Sequence, residues 1–325
     1  MTTKVANDIF YREAINQALA EEMRRDSRVV LYGEDIGRGM GTFRVTHGLQ
    51  EEFGDSRVRD TPIVEQAIIG SALGAALGGL RPVVEIVFAG MVCCAFDGIF
   101  FKLGGWKQLY NCASLPVIVR TPMGAGMSPE HDMSPEGLLI HSPGLTVVAP
   151  STPYDAKGMM KTAIRGDDPV IYLEHMMLYA TSGPVPTGEY LVPFGKADVK
   201  REGKNVTIVA YSMMVHKALA AAAELAKEGI EAEVIDLRSL VPLDVDAIIN
   251  SVKKTGRLVI THEAMERGGA GGEIAAIIAD KAFDYLDAPI KRVAAINAVV
   301  PRDARLQAVY KPQEHHIIEA VKSIV

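Results

Sequence analysis

Short β-type apolar runs alternate with helical stretches along almost the whole chain, and an alternation of this kind predicts parallel sheet covered by helices on both faces. In the first half the runs are Val29 to Tyr32, Val83 to Phe88, Val117 to Arg120, Val147 to Ala149 and Val170 to Leu173. Ahead of them Ile9, Ala14, Ile15, Ala18, Leu19 and Met23 recur at helical spacing and predict an amphipathic helix. Between Ala180 and Gly195 the periodicity gives way to TSGPVPTGEYLVPFG, where Pro184, Pro186 and Pro193 interrupt regular structure. A second alternation follows. Its strands are Val206 to Tyr211, Ala232 to Leu237 and Leu258 to Thr261, with helices ending at Lys227, opening at Asp244 and following Gly272. The expectation is an α/β protein of two doubly wound domains, residues 1–192 and 193–325. No short repeat of solenoid type is present.

Composition narrows the function classes. With 325 residues, 48% of them hydrophobic, the chain is large enough to bury the cores of two such domains. A formal net charge of −6 argues against a general nucleic-acid binder, which needs a basic face to release counterions. Cys93, Cys94 and Cys112 have neither metal-ligand spacing nor an extracellular disulfide pattern, which suits a reducing cytosol. The N-terminus has no apolar signal core, and no apolar run reaches the ~20 residues that span a bilayer. A soluble, cytoplasmic protein without membrane or nucleic-acid partners is expected.

The most informative stretch is Asp60-Thr61-Pro62-Ile63-Val64-Glu65, which runs into QAIIGSALGAALGGL. Thr61 reads as an N-cap and Pro62 as the first helical residue. The helix that follows is unusually rich in Gly, Ala and Ser, and each Gly costs ~1 kcal/mol of intrinsic stability relative to Ala. Something must approach it closely, most simply another helix, in this chain or in another subunit. Glu65 falls one position beyond a capping box, among Ile63, Ile68 and Ile69. It reads as a first-turn acid favoured by the helix dipole or as a carboxylate kept in apolar company for a function. The loop Gly124 to Gly137, which contains His131, follows a strand end where wound α/β folds bind ligands. His131 alone reads equally well as a solvent-facing loop histidine. Gly268 to Gly272 lacks a Walker lysine and reads as a tight turn that permits close packing. Asp244 reads as a helix cap, and His141, His175, His216 and His262 show no ligand spacing.

Ten segments taken together resemble the beta subunits of 2-oxo acid and acetoin dehydrogenase complexes. They are GEDIG (33–37), FRVTHGLQEEFG (43–54), RVRDTPIVE (57–65), LRPVVEI (80–86), HSPGL (141–145), PSTPYDAKGMM (150–160), DPVIYLEH (168–175), PFGKA (193–197), DLRSLVPLD (236–244) and KKTGRLV (253–259). The match runs in order over nearly the whole chain. The resemblance implies a transketolase-like architecture, with a pyrimidine-binding domain followed by a transketolase C-terminal domain, and an α2β2 heterotetramer with an alpha subunit. It implies thiamine diphosphate between subunits, 2-oxo acid or acetoin as substrate, and acyl transfer to a lipoyl-bearing acyltransferase component.

For individual residues, the resemblance implies that Glu65 hydrogen-bonds the aminopyrimidine and that His131 moves protons around acyl transfer, although His131-Asp132-Met133-Ser134 departs from the family's H-S-Q-S-like segment. It implies cofactor contacts from Glu34, Met91 and Cys94, with Met91 standing where many relatives place an aromatic residue. The GDG and Asn-Asn pattern that holds magnesium and diphosphate is missing, so those contacts are expected from the alpha subunit. Ala163, Gly166 and Asp168 match a backbone-rich potassium site of some relatives. Two other readings stay open: a two-chain transketolase-like enzyme without a lipoyl partner, and a scaffolding paralogue that kept only the fold.

Overall fold

The computed structural model describes residues 6–112, 114–124 and 131–325. The first unit runs β1 (Ala6–Phe10), α1 (Tyr11–Arg25), β2 (Val29–Gly33), α2 (Leu49–Phe53), β3 (Val58–Asp60), α3 (Glu65–Leu77) and β4 (Arg81–Glu85). A 3₁₀ stretch (Ala89–Ala95) and a π-helical stretch (Asp97–Leu103) lead into α4 (Gly104–Tyr110). Then come β5 (Ile118–Met123), α5 (Glu136–Leu139), β6 (Thr146–Val148), α6 (Pro153–Arg165), β7 (Val170–His175) and β8 (Ser182–Pro186). The second unit comprises β9 (Asp198–Arg201), β10 (Val206–Ala210), α7 (Met213–Lys227), β11 (Ala232–Asp236), β12 (Ser239–Val241), α8 (Val245–Thr255) and β13 (Leu258–Met265). It ends with α9 (Ala270–Ala282), β14 (Lys291–Ala295), α10 (Ala304–Tyr310) and α11 (Glu314–Lys322).

Local chemistry explains most of these boundaries. Helix α6 opens with Pro153 after Thr152, whose hydroxyl accepts the Asp155 N–H, and α8 opens on the Asp244 carboxylate, which accepts the Ala247 N–H as expected. Helix α8 closes on Gly256 at φ +68°, a left-handed position that costs glycine little. Two expectations fail. Ile9 lies on β1, which pairs with β8, and the helix begins only at Tyr11. Thr61 does not cap α3, because its N–H extends the β2–β3 ladder to the Gly33 carbonyl at 2.9 Å and holds it in line with the sheet. The helix starts at Glu65 behind Val64 without a side-chain cap.

The first sheet has seven strands in the order β12-β6-β7-β5-β4-β2-β3, all parallel except β12. Strand order reverses beside β2, since β3 lies on one side of it and β4 on the other. That reversal opens a crevice at the carboxyl ends of β2 and β4. The second sheet is β14-β13-β10-β11-β9, parallel except for β9. Strand β12 comes from the second alternation yet pairs with β6 of the first sheet. One apolar core also runs from Ile69, Val84 and Leu173 through to Tyr211, Ile235 and Ile260, so the two units share a dry seam. Each large aliphatic side chain fully buried in it is worth roughly 1.5–3 kcal/mol. Gly137 lies so close to the Gly268 carbonyl that a Cβ would stand 1.9 Å from it, and Gly271 presses on the His262 ring. The Gly268 to Gly272 turn is thus a packing device. No helix among the described residues is long and apolar enough to cross a membrane.

A charged junction completes the seam. Asp155 on α6 and Asp236 at the end of β11 are both fully buried and share Lys200, whose Nζ lies 3.0 Å and 3.7 Å from them. Burial, and then Asp155, pushes the Asp236 carboxyl up to about 7, against Lys200 and the Ser151 hydroxyl. The folded state therefore keeps a proton that the unfolded chain releases near its ordinary carboxyl value, and the contribution of Asp236 to stability falls as pH rises from roughly 4 through 7. Asp236→Asn removes that penalty. The melting temperature of the variant minus that of the parent should increase between pH 5 and pH 8, and a difference that stays flat across this range would refute the assignment.

Candidate functional site

Four side chains meet at the carboxyl edge of the first sheet, each just past a strand: Glu34 after β2, Glu65 beyond β3, Phe88 after β4 and His131 in the loop after β5. Glu34 is half-buried, and its carboxyl is pushed up by burial, then by Asp35 and Glu65, while His131 draws it down. Glu65 and His131 therefore both lie within electrostatic reach of Glu34 although the three are far apart in sequence. The imidazole of His131 stacks flat on Phe88, with ring centroids 3.9 Å apart and planes 6° from parallel. Glu65 is half-buried at the first position of α3 and has no hydrogen bond or ion pair among the described residues. No structural partner among the described residues uses it up.

A second layer holds this edge. Phe88 packs edge-on against Phe43, which stacks on Tyr179 at 4.9 Å. The Tyr179 hydroxyl donates to Glu174 at 2.7 Å, and Arg120 joins Glu174 through two hydrogen bonds of 2.7 and 2.9 Å and Glu85 through one of 2.6 Å. Glu85, Arg120 and Glu174 are buried on the adjacent strands β4, β5 and β7, and Glu85 and Arg120 are register partners. Burial pushes the Glu85 carboxyl up against the pull of Arg120, with Glu174 and Glu34 adding to the rise. Burial works against the Arg120 charge, but Glu174 and Glu85 more than offset it and hold the guanidinium protonated. Phe88 and this triad were not among the residues expected from sequence. The available signal was three charged residues interrupting the ends of three apolar runs, in VVEIV, VIVRT and VIYLEH.

The other expected residues lie elsewhere. Met91 is half-buried against the main core, and Cys94 is exposed on the same 3₁₀ stretch. No hydrogen bond or ring contact joins either to Glu65 or His131. Ala163, Gly166 and Asp168 lie where α6 turns into β7, at the amino edge of the sheet and so opposite the Glu65 group. There the Arg81 guanidinium donates to the Gly166 and Ile164 carbonyls and Lys107 pairs with Asp168, so two fixed cations already face these oxygens. The loop segment 125–130 lies outside the described residues. His175 links the units by pairing with Glu263 at 3.0 Å, and its ring packs under Gly124. Among the described residues no group of three or more His, Cys, Asp or Glu could hold a metal ion.

Helix α3 leaves one face open. Gly70 and Gly74 are exposed, a Cβ on either would meet nothing within 4 Å, and Ile63, Val64 and Leu77 are exposed beside them.

Residues 7–181 match the transketolase pyrimidine-binding domain, and residues 195–317 match the transketolase C-terminal domain. Curated relatives named pyruvate dehydrogenase E1 component subunit beta align end to end. That of Staphylococcus epidermidis is 47% identical over 321 residues, covering 96% of this chain and 97% of the relative. That of Bacillus subtilis is 46% identical over 319 residues, covering 96% and 97%. The chain belongs to the pyruvate dehydrogenase E1 beta-subunit family. It has the two-domain, transketolase-like α/β fold of a family that depends on thiamine diphosphate. A solved structure described as a split-gene transketolase, an inactive beta4 tetramer, superposes with a TM-score of 0.81 at 25% identity over 98% of both chains.

The buried triad yields a stability prediction. Arg120→Met leaves Glu85 and Glu174 facing each other in the core without a counter-charge, and breaking a buried pair on one side costs about 3–5 kcal/mol. Urea denaturation should show a loss of that order at neutral pH, and a loss below about 1 kcal/mol would remove the triad from its supporting role.

Proposed function

We propose that this chain acts with an alpha subunit, as an α2β2 heterotetramer, in the thiamine-diphosphate-dependent oxidative decarboxylation of a 2-oxo acid, and that the acyl group passes to the lipoyl group of an acyltransferase component. The carrying observation is the convergence of Glu34, Glu65, Phe88 and His131 at the strand-order reversal, with Glu65 free of any structural partner. Pyruvate is the first substrate to test because the full-length relatives are named for it, with branched-chain 2-oxo acids and acetoin as the alternatives. The cytoplasm is the compartment proposed, and residues 1–192 and 193–325 are the proposed domains.

The residues present suit the aminopyrimidine half of the cofactor: an unengaged carboxylate, a second carboxyl biased toward its protonated form, and an aromatic wall. When bound, thiamine diphosphate supplies the electron sink that a 2-oxo acid needs to lose carbon dioxide. Glu65 would hold the aminopyrimidine through a ring nitrogen, with Glu34 within electrostatic reach of it. Met91 and Cys94 are assigned to the cofactor wall on the segment that follows Phe88. His131, kept in plane by Phe88, transfers protons during acyl transfer, a task suited to an imidazole. Magnesium and the diphosphate are assigned to the alpha subunit, and the open face of α3 is where that subunit would pack. A potassium ion at Ala163, Gly166 and Asp168 would share the Gly166 carbonyl with Arg81 and would brace the fold far from the reacting atoms.

Co-expression with the alpha subunit tests this reading. With thiamine diphosphate, magnesium and an artificial electron acceptor, the mixed complex should turn over a 2-oxo acid, and the beta chain alone should not. Glu65→Gln should assemble normally and lose about a hundredfold or more in turnover. His131→Ala should slow lipoamide acylation more than reduction of the artificial acceptor. Near-parent activity of Glu65→Gln would sink the assignment, and activity without lipoyl acylation would favour a transketolase-like enzyme that works alone.

A further inference from the structure

The loop that carries His131 belongs to the first unit but is attached to the second. His131 itself stacks on Phe88 of the first unit. Residues 131–135 form no helix or strand, so no regular ladder of backbone hydrogen bonds holds them. Three contacts across the seam fix residues 132–137 instead. Gln307 on α10 donates to the Asp132 carboxylate at 3.4 Å, near the long limit for a hydrogen bond. Gly137 packs against the Gly268 carbonyl. Between them Tyr211, the first residue after β10, donates its hydroxyl to Glu136 Oε1 at 2.8 Å, with both side chains out of water. The strand end before the loop meets the same unit, since Gly124 packs on the ring of His175, which pairs with Glu263 on β13.

The bond between Tyr211 and Glu136 is the shorter of the two hydrogen bonds and the costlier to lose, because a buried donor or acceptor left alone cannot turn to water. Glu136 Oε2 has no partner among the described residues. Burial pushes the carboxyl up, and Glu263 adds to the rise, against its own backbone N–H, the Tyr211 hydroxyl and His175. Tyr211 is held in turn from behind. The chain leaves it through Ser212 at φ +52°, a left-handed position that residues with a side chain rarely adopt, and such positions persist only where the surroundings enforce them.

We propose that Glu136 and Tyr211 are positioning residues for His131, through which the second unit sets where the imidazole stands over Phe88. The inference rests on the proton-transfer role proposed for His131. Only residues 132–135 lie between Glu136 and His131, so a shift of one is passed to the other. Among the described residues no hydrogen bond joins Glu136 or Tyr211 to Glu34 or Glu65, so a loss should fall on the step that His131 serves and spare the one that Glu65 serves.

The test uses the complex assembled with the alpha subunit and saturated with thiamine diphosphate, in two assays: acylation of lipoamide and reduction of the artificial electron acceptor. Tyr211→Phe removes one oxygen and keeps the ring in the core. It should lose about tenfold or more in acylation and less in acceptor reduction, as a displaced catalytic group would. Glu136→Leu should do the same, whereas Glu136→Gln, whose amide oxygen still accepts from Tyr211, should keep most of the acylation. Equal losses in the two assays for Tyr211→Phe, or no loss, would overturn the inference, as would Glu136→Gln behaving like Glu136→Leu. Failure of Tyr211→Phe to assemble, checked by size-exclusion chromatography, would also overturn it by assigning the contact to folding alone. His131→Ala in the same assays separates the two readings. If it slows acylation selectively and Tyr211→Phe does not, only the positioning inference falls; if it does not, the role of His131 falls and takes the inference with it.

Discussion

The site depends on a single guanidinium buried between two carboxylates. Arg120 sits on the central strand of three, with Glu85 on one neighbour and Glu174 on the other, all three out of water. A bidentate pair on one side and a single bond on the other tie two buried carboxyl groups to one guanidinium, and such a buried group is tolerable only where donors surround it. Tyr179 supplies one such donor and is itself fixed by stacking on Phe43. A charged centre that would be costly in an ordinary core thus fixes the register of β4, β5 and β7 at their carboxyl ends. It also orients an aromatic series that ends on His131.

This arrangement explains why candidate residues could be named from sequence while their support could not. Glu65 stood out as a first-turn carboxylate in apolar company and His131 as a loop residue after a strand end, and both fall in segments that resemble one family. Phe88 was absorbed into an apolar run, and nothing local distinguishes a phenylalanine that packs inward from one that carries an imidazole. Glu85, Arg120 and Glu174 become informative only when β4, β5 and β7 are known to be neighbours, and β7 reaches β5 by passing over β6 in chain order.

The failed expectations have the same origin. Thr61-Pro62 has every local feature of a helix start, but a hydrogen bond to Gly33 from across the sheet holds Thr61 extended and delays α3 to Glu65. That delay puts the carboxylate at the first position of the helix. Strand β12 was missed for a similar reason. It is three residues long, and only its pairing with β6 of the other unit makes it a strand.

What remains unpaired is as informative as what is paired. Most buried charges among the described residues have a counter-charge or hydrogen-bond partner, as at the junction where Asp155 and Asp236 share Lys200. Against that background an unengaged Glu65 and an uncovered glycine face on α3 fall within one stretch of the chain, from Glu65 to Leu77. A self-sufficient enzyme would have little reason to leave two unmatched surfaces on a single helix. A subunit that completes its site with another chain and its ligands would, because each surface is matched only on assembly. Helix α3 is then the element through which cofactor and partner would act on one another, since both would contact it within its thirteen residues.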